Sequence, residues 1–463
     1  MTETPVLPRK RTKRPTPVKH RWLDQWLMAK GEPLKRLVEK TRLFVAHDEM
    51  ATSARKRARR GQDRERHDQM IDVLVANLSY AVLNPPESMR IAVDTRHGAK
   101  GRSRYANPAI SPRVLRPFLT IMANFDAFDK EYPKVMRGEK TSVAPTEWWA
   151  RKVAEEGITL ADFRRDTEQE LILLNRNSRE AFDPFKEGPS PRKRERVEYR
   201  DTAATREMRV KMRGLNDWLA GADIWFNPDG GPLVDPFDRI MRRHFVILDN
   251  QQQRFDQSGR LFGGFWQTMK STRRKGIRIN GECVADLDFS SMFTRLAYAE
   301  VGAVPPAGDL YAIPGLEGYR SGVKMAMNAF LFSTGTKKVW PSSMGVGQGN
   351  DAAASHGEIP AAEYEARLPI GWTVRRTKAA ILERHPALRS AFGQGLGYRL
   401  MNRESEILLA ILHELHIQNI PALGLHDGLL VAASKADAVA RIMAEVSHRV
   451  VGMTLPTTIT LLR

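Results

Sequence analysis

The segment ECVADLDFSSMFTRLAYAEVG, residues 282–302, decides the fold. Its first half has the character of a strand that ends near Asp288, and its second half is typical of a helix that Ser290 would cap. Asp286 and Asp288 lie two residues apart, so both side chains project from the same strand face. Two carboxylates on one face repel each other unless a cation or basic group lies between them. Taken alone, the pair is equally compatible with an edge strand that carries solvated acids.

A second acidic segment lies further along the chain. ESEILLAILHELHIQN, 404–419, has the apolar spacing of an amphipathic helix, and PALGLHDGLLVAAS, 421–434, predicts two strands joined by a tight turn at Gly428. His426 and Asp427 interrupt this otherwise apolar hairpin, where polar groups are costly without a ligand. A further helix and the strand MTLPTTITLL follow. The order strand, helix, hairpin, helix, strand predicts an α+β fold with helices on an antiparallel sheet.

A helix between these segments carries a polar stripe. YRSGVKMAMNAFLFS, residues 319–333, places Arg320, Lys324, Asn328 and Phe332 at spacings of four on one helical face. Two cations, an amide and a ring in this order suit a triphosphate and a base. An amphipathic helix with a solvated basic edge explains the same pattern.

The charge balance indicates a polyanionic partner. The chain has 463 residues and a net charge of +19, from 73 Lys and Arg against 54 Asp and Glu. Nucleic acid is the first expectation and an anionic membrane the second. The single cysteine, Cys283, excludes an intramolecular disulfide framework and a cysteine-based zinc cluster. Because the sequence has no signal-peptide core and no run of about 18 apolar residues, we expect a cytoplasmic protein without a membrane partner, associated with the nucleoid in a bacterium or phage.

Composition also predicts the domain organisation. Residues 1–20 are a basic arm with several prolines, which we expect to be disordered. Residues 21–190 have a helix-rich pattern, and we expect them to bind nucleic acid or a replication protein through basic surface. PFKEGPSPRKRER, 184–196, is typical of a linker. A second domain is therefore expected over residues 191–463.

The first segment resembles motif A of family A DNA polymerases and of the related phage single-subunit RNA polymerases. DFSSMFTR, 288–295, is similar to the common form DYSQIELR and matches it at Asp288, Phe289, Ser290 and Arg295. The motif A glutamate is replaced by Phe293.

Motifs B and C of the same family follow in the expected order. RSGVK, 320–324, resembles the R-x-x-x-K opening of motif B, with Phe332 where the family has a tyrosine. LHDG, 425–428, resembles the His-Asp-Glu of motif C, with Gly428 in place of the last acid. SGRLFGGFWQ, 258–267, is similar to the TGRLSS segment ahead of motif A. The resemblance covers roughly residues 240–463, and TGTKKVWPSSMGVGQGNDAAASHG, between motifs B and C, has no counterpart in the family.

The resemblance implies a right-hand polymerase with an antiparallel-sheet palm and helical fingers and thumb. It would be thumb-like over residues 200–265 and form palm and fingers over residues 266–463. It implies that Asp288 and Asp427, with the carbonyl of Phe289, bind two Mg²⁺ ions, for which Mn²⁺ can substitute. The residues implied in nucleotide binding are Arg320, Lys324, Phe293, Asn328 and Phe332, and Lys324 is also implied in catalysis. The residues implied in primer–template binding are Arg260, Gln267, Arg295 and His426.

The function that the resemblance favours is that of a DNA-directed DNA polymerase, which extends a DNA primer on its template with deoxynucleoside triphosphates. Phe293 would lie near the sugar and block a 2′-hydroxyl. A primase or single-subunit RNA polymerase, with RNA as product, stays open because the same palm serves both. A rival of another class is a non-catalytic nucleic-acid-binding protein with a decayed palm, against which the retained Asp288, Asp427 and Lys324 argue. A metal phosphohydrolase would need further His and Asp ligands, and the sequence has no such set.

Overall fold

The computed structural model describes residues 20–52, 59–95, 103–131, 141–179, 192–247, 254–338, 340, 368–369 and 371–463. The arm predicted over residues 1–20 lies outside the described residues except for its last position, and so does most of the predicted linker before residue 192. The chain divides into two compact units between Gln169 and Glu170. Within the described ranges, none of the helices has the length and apolar character required to cross a lipid bilayer.

The first unit packs around one buried helix. Its helices are α1 (Glu32–Ala51), α2 (Gly61–Leu83), α3 (Pro112–Asn124) and α4 (Glu147–Glu155). Its strands are β1 (Arg21–Trp22), β2 (Leu27–Ala29), β3 (Ile91–Ala92), β4 (Phe128–Glu131), β5 (Ser142–Pro145) and β6 (Phe163–Arg165). The second half of α2 is buried on nearly every side, as expected of a helix that is apolar all round. The helix-rich pattern predicted here also contains these strands, which are too short to show a period of two in the sequence.

The second unit contains the segments that the sequence singled out. Its helices are α5 (Ala203–Gly221), α6 (Phe265–Thr268), α7 (Met292–Glu300), α8 (Arg320–Phe332), α9 (Val374–Arg384), α10 (Gly397–Ile417) and α11 (Ala436–Val451). Its strands are β7 (Ile172–Arg179), β8 (Arg192–Arg196), β9 (Ile224–Phe226), β10 (Met241–Ile247), β11 (Ser258–Gly263), β12 (Ile277–Ile279), β13 (Glu282–Phe289), β14 (Ala422–Gly424), β15 (Gly428–Ala432) and β16 (Thr457–Leu461).

A six-stranded antiparallel sheet forms the centre of this unit. Its order is β14-β15-β13-β12-β9, and β16 pairs with β13. Strand β13 therefore lies between β15 on one side and β12 and β16 on the other. Ala285 and Leu287 are fully buried, and α11 packs against β13 and β16. The α+β class with helices on an antiparallel sheet, as predicted from residues 282–302 and 404–462, is confirmed.

A second sheet of this unit was not predicted. Its order is β11-β10-β7-β8, with β10 parallel to β7 and antiparallel to β11. We expected a helical, thumb-like part over residues 200–265, but only α5 is a long helix there, and Met241–Gly263 contributes two strands. Because β7 pairs with β10, residues before the predicted linker belong to the second unit. The division consequently lies at Gln169/Glu170 and not at residue 190.

Candidate active site

A cleft in the second unit collects side chains from six segments of the chain. Its volume is about 300 Å³. The residues that line it are Arg260, Phe289, Ser291, Met292, Phe293, Tyr311, Lys324, Asn328, Phe332, Glu404, His426 and Asp427. Residues predicted from all three motifs, together with Arg260 from the segment ahead of them, thus share one concave surface, the usual setting of a small-molecule site.

The pairing of β13 with β15 brings the two predicted carboxylates together. Asp288 lies directly opposite Gly428, the residue after Asp427. The Phe289 N–H donates to the carbonyl of Asp427, with an N···O distance of 3.1 Å. A Cβ atom at Gly428 would lie 2.2 Å from Asp288 Oδ1, so the carboxylate occupies the space that a side chain would take.

The surroundings of Asp286 and Asp288 disfavour the ionised form of both carboxyl groups. Burial and the Asp427 carboxylate raise the pKa of Asp288, against the lowering effect of Arg274 and Lys324. Burial and Asp288 raise the pKa of Asp286 to about 6, again opposed by Arg274. Asp286 Oδ1 is buried and has no hydrogen-bond partner among the described residues. A cation bound here would relieve this repulsion.

The donor set beside Asp288 and Asp427 is a small group of carboxylate oxygens, the kind of ligand that Mg²⁺ prefers. Among the described residues, no group of three or more His, Cys, Asp or Glu side chains is placed to hold a metal ion. Mg²⁺ usually binds through one or two carboxylates, and substrate phosphates and water complete its shell. Two oxygen ligands at Asp288 and Asp427, beside the unpartnered Asp286 oxygen, therefore fit Mg²⁺ bound together with a phosphate-bearing substrate.

Helix α8 presents most of its predicted stripe to the cleft. Lys324, Asn328 and Phe332 line it, and Asn328 Oδ1 is buried without a hydrogen-bond partner among the described residues. Arg320 is not part of the lining. Its guanidinium is hydrogen-bonded to Asp309 at 2.8 and 3.2 Å and lies over the ring of Tyr311, 4.9 Å from the centroid.

Two phenylalanines form one wall of the cleft. The rings of Phe293 and Phe332 are stacked, with centroids 5.5 Å apart and planes 8° from parallel. Tyr398 meets Phe332 edge to face at 5.3 Å. A Cβ atom at Gly397 would lie 2.2 Å from the Phe332 ring, so the close approach of α10 depends on that glycine.

The four residues predicted to bind a primer–template fall into two pairs. Arg260 and His426 line the cleft. Gln267 and Arg295 do not. Gln267 donates to the carbonyl oxygens of Gly424 at 3.0 Å and Leu261 at 3.3 Å. Arg295 donates from Nε to the Ser290 carbonyl at 3.1 Å, so each holds backbone in place beside the cleft.

The start of α7 also differs from the prediction. Ser290 does not cap the helix, and its backbone N–H donates to the Pro456 carbonyl at 2.8 Å. The helix follows Ser291, whose φ of 54° is left-handed, and no side chain caps it. Ser291 and Met292 consequently reach the cleft, which was not predicted.

Sequence reasoning missed two further charged residues. Arg274, in the 3₁₀ turn Ser271–Gly276, lowers the pKa of Asp286 and Asp288. Glu404 lines the cleft and is 2% exposed. A signal for Glu404 was present, since it lies four residues before Leu408 on the apolar face of α10, where a solvated acid is not expected.

Comparison with known proteins gives no assignment, because no family model matches the chain and no curated protein matches it.

Proposed function

We propose that the second unit is a template-directed nucleotidyltransferase, and that it extends a DNA primer. The observation that carries this proposal is the pairing of β13 with β15, which puts Asp288 beside Asp427. The same cleft contains Lys324 and the Phe293–Phe332 wall. The six-stranded sheet would serve as the palm of a right-hand polymerase, with α8 on the fingers side.

Asp288 and Asp427 would hold Mg²⁺. When bound, Mg²⁺ neutralises the negative charge that develops on transferring phosphate oxygens. Lys324 supplies a positive charge from α8 at the same cleft and would bind the triphosphate of the incoming nucleotide. Asn328, with its unpartnered Oδ1, offers an acceptor one helical turn further on. Arg320, already paired with Asp309, would act at the entrance.

The central experiment is primer extension by Asp288→Asn and Asp427→Asn variants. Each change keeps the size of the side chain and removes its charge, so we expect synthesis to fall at least about 10³-fold, in line with the loss of a charge-stabilising group. Asp437→Asn is the matched control, because Asp437 is exposed in the first turn of α11 and does not line the cleft. Undiminished synthesis by either the Asp288 or the Asp427 variant would end the proposal.

RNA synthesis is the second candidate product. Phe293 and Phe332 form the wall where a sugar would lie, and a bulky ring there favours a nucleotide without a 2′-hydroxyl. Supplying ribonucleoside triphosphates without a primer separates the candidates, because only a primase or RNA polymerase would then make product. The first unit, with its basic surface, is proposed to bind nucleic acid or a replication partner.

A further inference from the structure

Glu404 is a buried carboxylate at the cleft that none of the motifs explains. It lies on α10, is 2% exposed, and accepts a hydrogen bond from Arg260 Nε on β11. A buried ionised carboxylate is costly unless it is paired and hydrogen-bonded. Burial raises the pKa of Glu404 to about 7, and the Arg260 guanidinium opposes that rise. The ion pair therefore opposes the loss of charge that burial favours.

The two elements that carry this pair are also hydrogen-bonded to each other through residues that do not line the cleft. The Gly259 carbonyl accepts hydrogen bonds from Arg243 Nε, at 3.0 Å, and from Ser405 Oγ. Arg243, itself 3% exposed, also donates to Glu406 at 2.8 Å. Gly259, which precedes Arg260, is thus held by hydrogen bonds, and so are Ser405 and Glu406, which follow Glu404. Helix α10 packs along β11.

Gly259 allows this close packing. Its φ of +82° lies in the left-handed region. A Cβ atom there would lie 2.8 Å from the Phe245 ring and 2.9 Å from both Arg243 Nη2 and Asn402 Nδ2. The backbone next to Arg260 consequently has little freedom to shift.

The pair with Glu404 does not use all of the hydrogen-bond donors of Arg260. Its Nε is bonded to Glu404, whereas Nη1 and Nη2 have no hydrogen-bond partner among the described residues. Arg260 lines the cleft together with His426 and Asp427. Without Glu404, the guanidinium would be free to pair with Asp427 and so occupy a carboxylate that the proposed metal site needs.

We propose that Glu404 is a positioning residue, which holds Arg260 away from Asp427 and aims its two terminal nitrogens at an acceptor atom of the last primer nucleotide. The proposal rests on the proposed function, since it assumes that the cleft receives a primer terminus. A planar guanidinium fixed through Nε can offer two parallel donors, which a flexible ammonium cannot.

Steady-state primer extension with full-length Glu404→Gln tests the proposal. We expect its KM for a DNA hairpin primer–template to rise about tenfold, the loss expected when a charged hydrogen bond no longer orders its partner. The KM for the deoxynucleoside triphosphate should stay unchanged. Glu414→Gln is the matched control, because it makes the same change on the same helix, where Glu414 meets Gln418 and Arg449.

The double variant shows whether Glu404 acts through Arg260. Arg260→Ala should raise the KM for the hairpin by a similar factor, and adding Glu404→Gln should raise it no further. Additive effects, or an unchanged KM in Glu404→Gln, would overturn the inference while leaving the proposed function intact. A parent protein that neither binds nor extends the hairpin would overturn both.

A second variant distinguishes the proposed role of the Arg260 guanidinium from a folding defect. Arg260→Lys leaves Glu404 paired with a cation, so the buried carboxylate keeps a partner and we expect the thermal midpoint to stay close to that of the parent. The same rise in KM for the hairpin is expected, because the two-donor geometry is lost. A parental KM in a folded Arg260→Lys protein would contradict the role given to the guanidinium.

Discussion

Gly428 shows how one residue without a side chain shapes the candidate site. It opens β15 opposite Asp288, and a Cβ atom there would lie 2.2 Å from Asp288 Oδ1 and 2.3 Å from the Leu287 carbonyl oxygen. The motif that this hairpin resembles has a third acid at this position. In this chain the Asp288 carboxylate occupies that space, so packing requires a glycine at position 428.

Gly428→Ala is therefore expected to displace Asp288. We predict a loss of about 1–3 kcal/mol in the free energy of unfolding, the usual cost of adding atoms to a well-packed place. Primer extension should fall by more than this loss of folded protein explains. Gly214→Ala is the control, since nothing lies within 4 Å of a Cβ atom in that part of α5, and its activity should equal that of the parent. Activity and urea denaturation measured on both variants decide the matter.

Residues that act through local spacing could be predicted, and those that act through distant partners could not. Lys324, Asn328 and Phe332 follow from spacings of four within one helix, and all three line the cleft. Glu404 was missed because its partner Arg260 lies 144 positions away. No periodicity connects the two, although a charge on an apolar helical face indicated that a partner had to exist.

At the scale of elements, the sequence indicated β13, β14, β15 and β16 of the central sheet, but neither β9 and β12 nor the sheet formed by β7, β8, β10 and β11. Strand β10, MRRHFVI, alternates buried and part-buried residues from Met241 to Phe245, as a strand should, and its last two residues are both buried. Its alternation was hidden because the buried Arg243 occupies an inward position that an apolar residue normally takes. The strands within residues 200–265 were missed for that physical reason.

His385, which directly follows α9, joins α7 to the segment that contains Leu310. It is fully buried, hydrogen-bonded through Nδ1 to the Tyr298 hydroxyl of α7 and through Nε2 to the Leu310 carbonyl, both at 2.8 Å. The carbonyl can only accept, so Nε2 donates and the neutral ring accepts from Tyr298 at Nδ1. Burial lowers the pKa of His385 below its usual value of 6.5.

A pH dependence of stability follows from this neutral histidine. Below pH 6.5 the unfolded chain binds a proton at His385 that the folded protein does not, so the free energy of unfolding should fall as the pH is lowered from 7 to 5. His385→Gln should lose about 1–2 kcal/mol at pH 8 and show a smaller fall towards pH 5. Urea denaturation at four pH values measures both effects. His413→Gln, at an exposed position on α10, should follow the parent throughout, and identical pH profiles for parent and His385→Gln would contradict this account.

At the scale of the whole molecule, the net charge was a more useful signal than the local composition from which the domain boundary was predicted. The linker-like stretch at residues 184–196 suggested a boundary, yet β8 occupies its last five residues and pairs with β7. Strand pairing between segments on either side of a Pro- and Lys-rich stretch is not visible in its composition. The net charge of +19, in contrast, is a property of the full chain and does not depend on where the boundary between the two units lies.

That charge predicts a strong salt dependence of nucleic-acid binding. If about six phosphates are contacted, raising the salt concentration from 50 to 200 mM should weaken binding of the hairpin primer–template roughly 10³-fold. Fluorescence anisotropy across this range measures the slope. A hairpin of the same sequence with uncharged methylphosphonate linkages is the control, and its affinity should hardly change. An affinity for ordinary DNA that is independent of salt would contradict a phosphate-binding role for the basic surface.

The position of β13 also affects how the chain folds while it is made. Its partner β16 includes Thr458, which lies 170 positions after Asp288 and donates to its carbonyl. At about 5–20 residues per second, the interval between their synthesis is on the order of 10 to 30 s. Until β15 and β16 have been made, the apolar strand, with Val284, Ala285 and Leu287, has only β12 of its described partner strands to pair with. Asp286 and Asp288 break its apolar run with charge, which is the pattern of gatekeeper residues that limit the aggregation of a nascent chain.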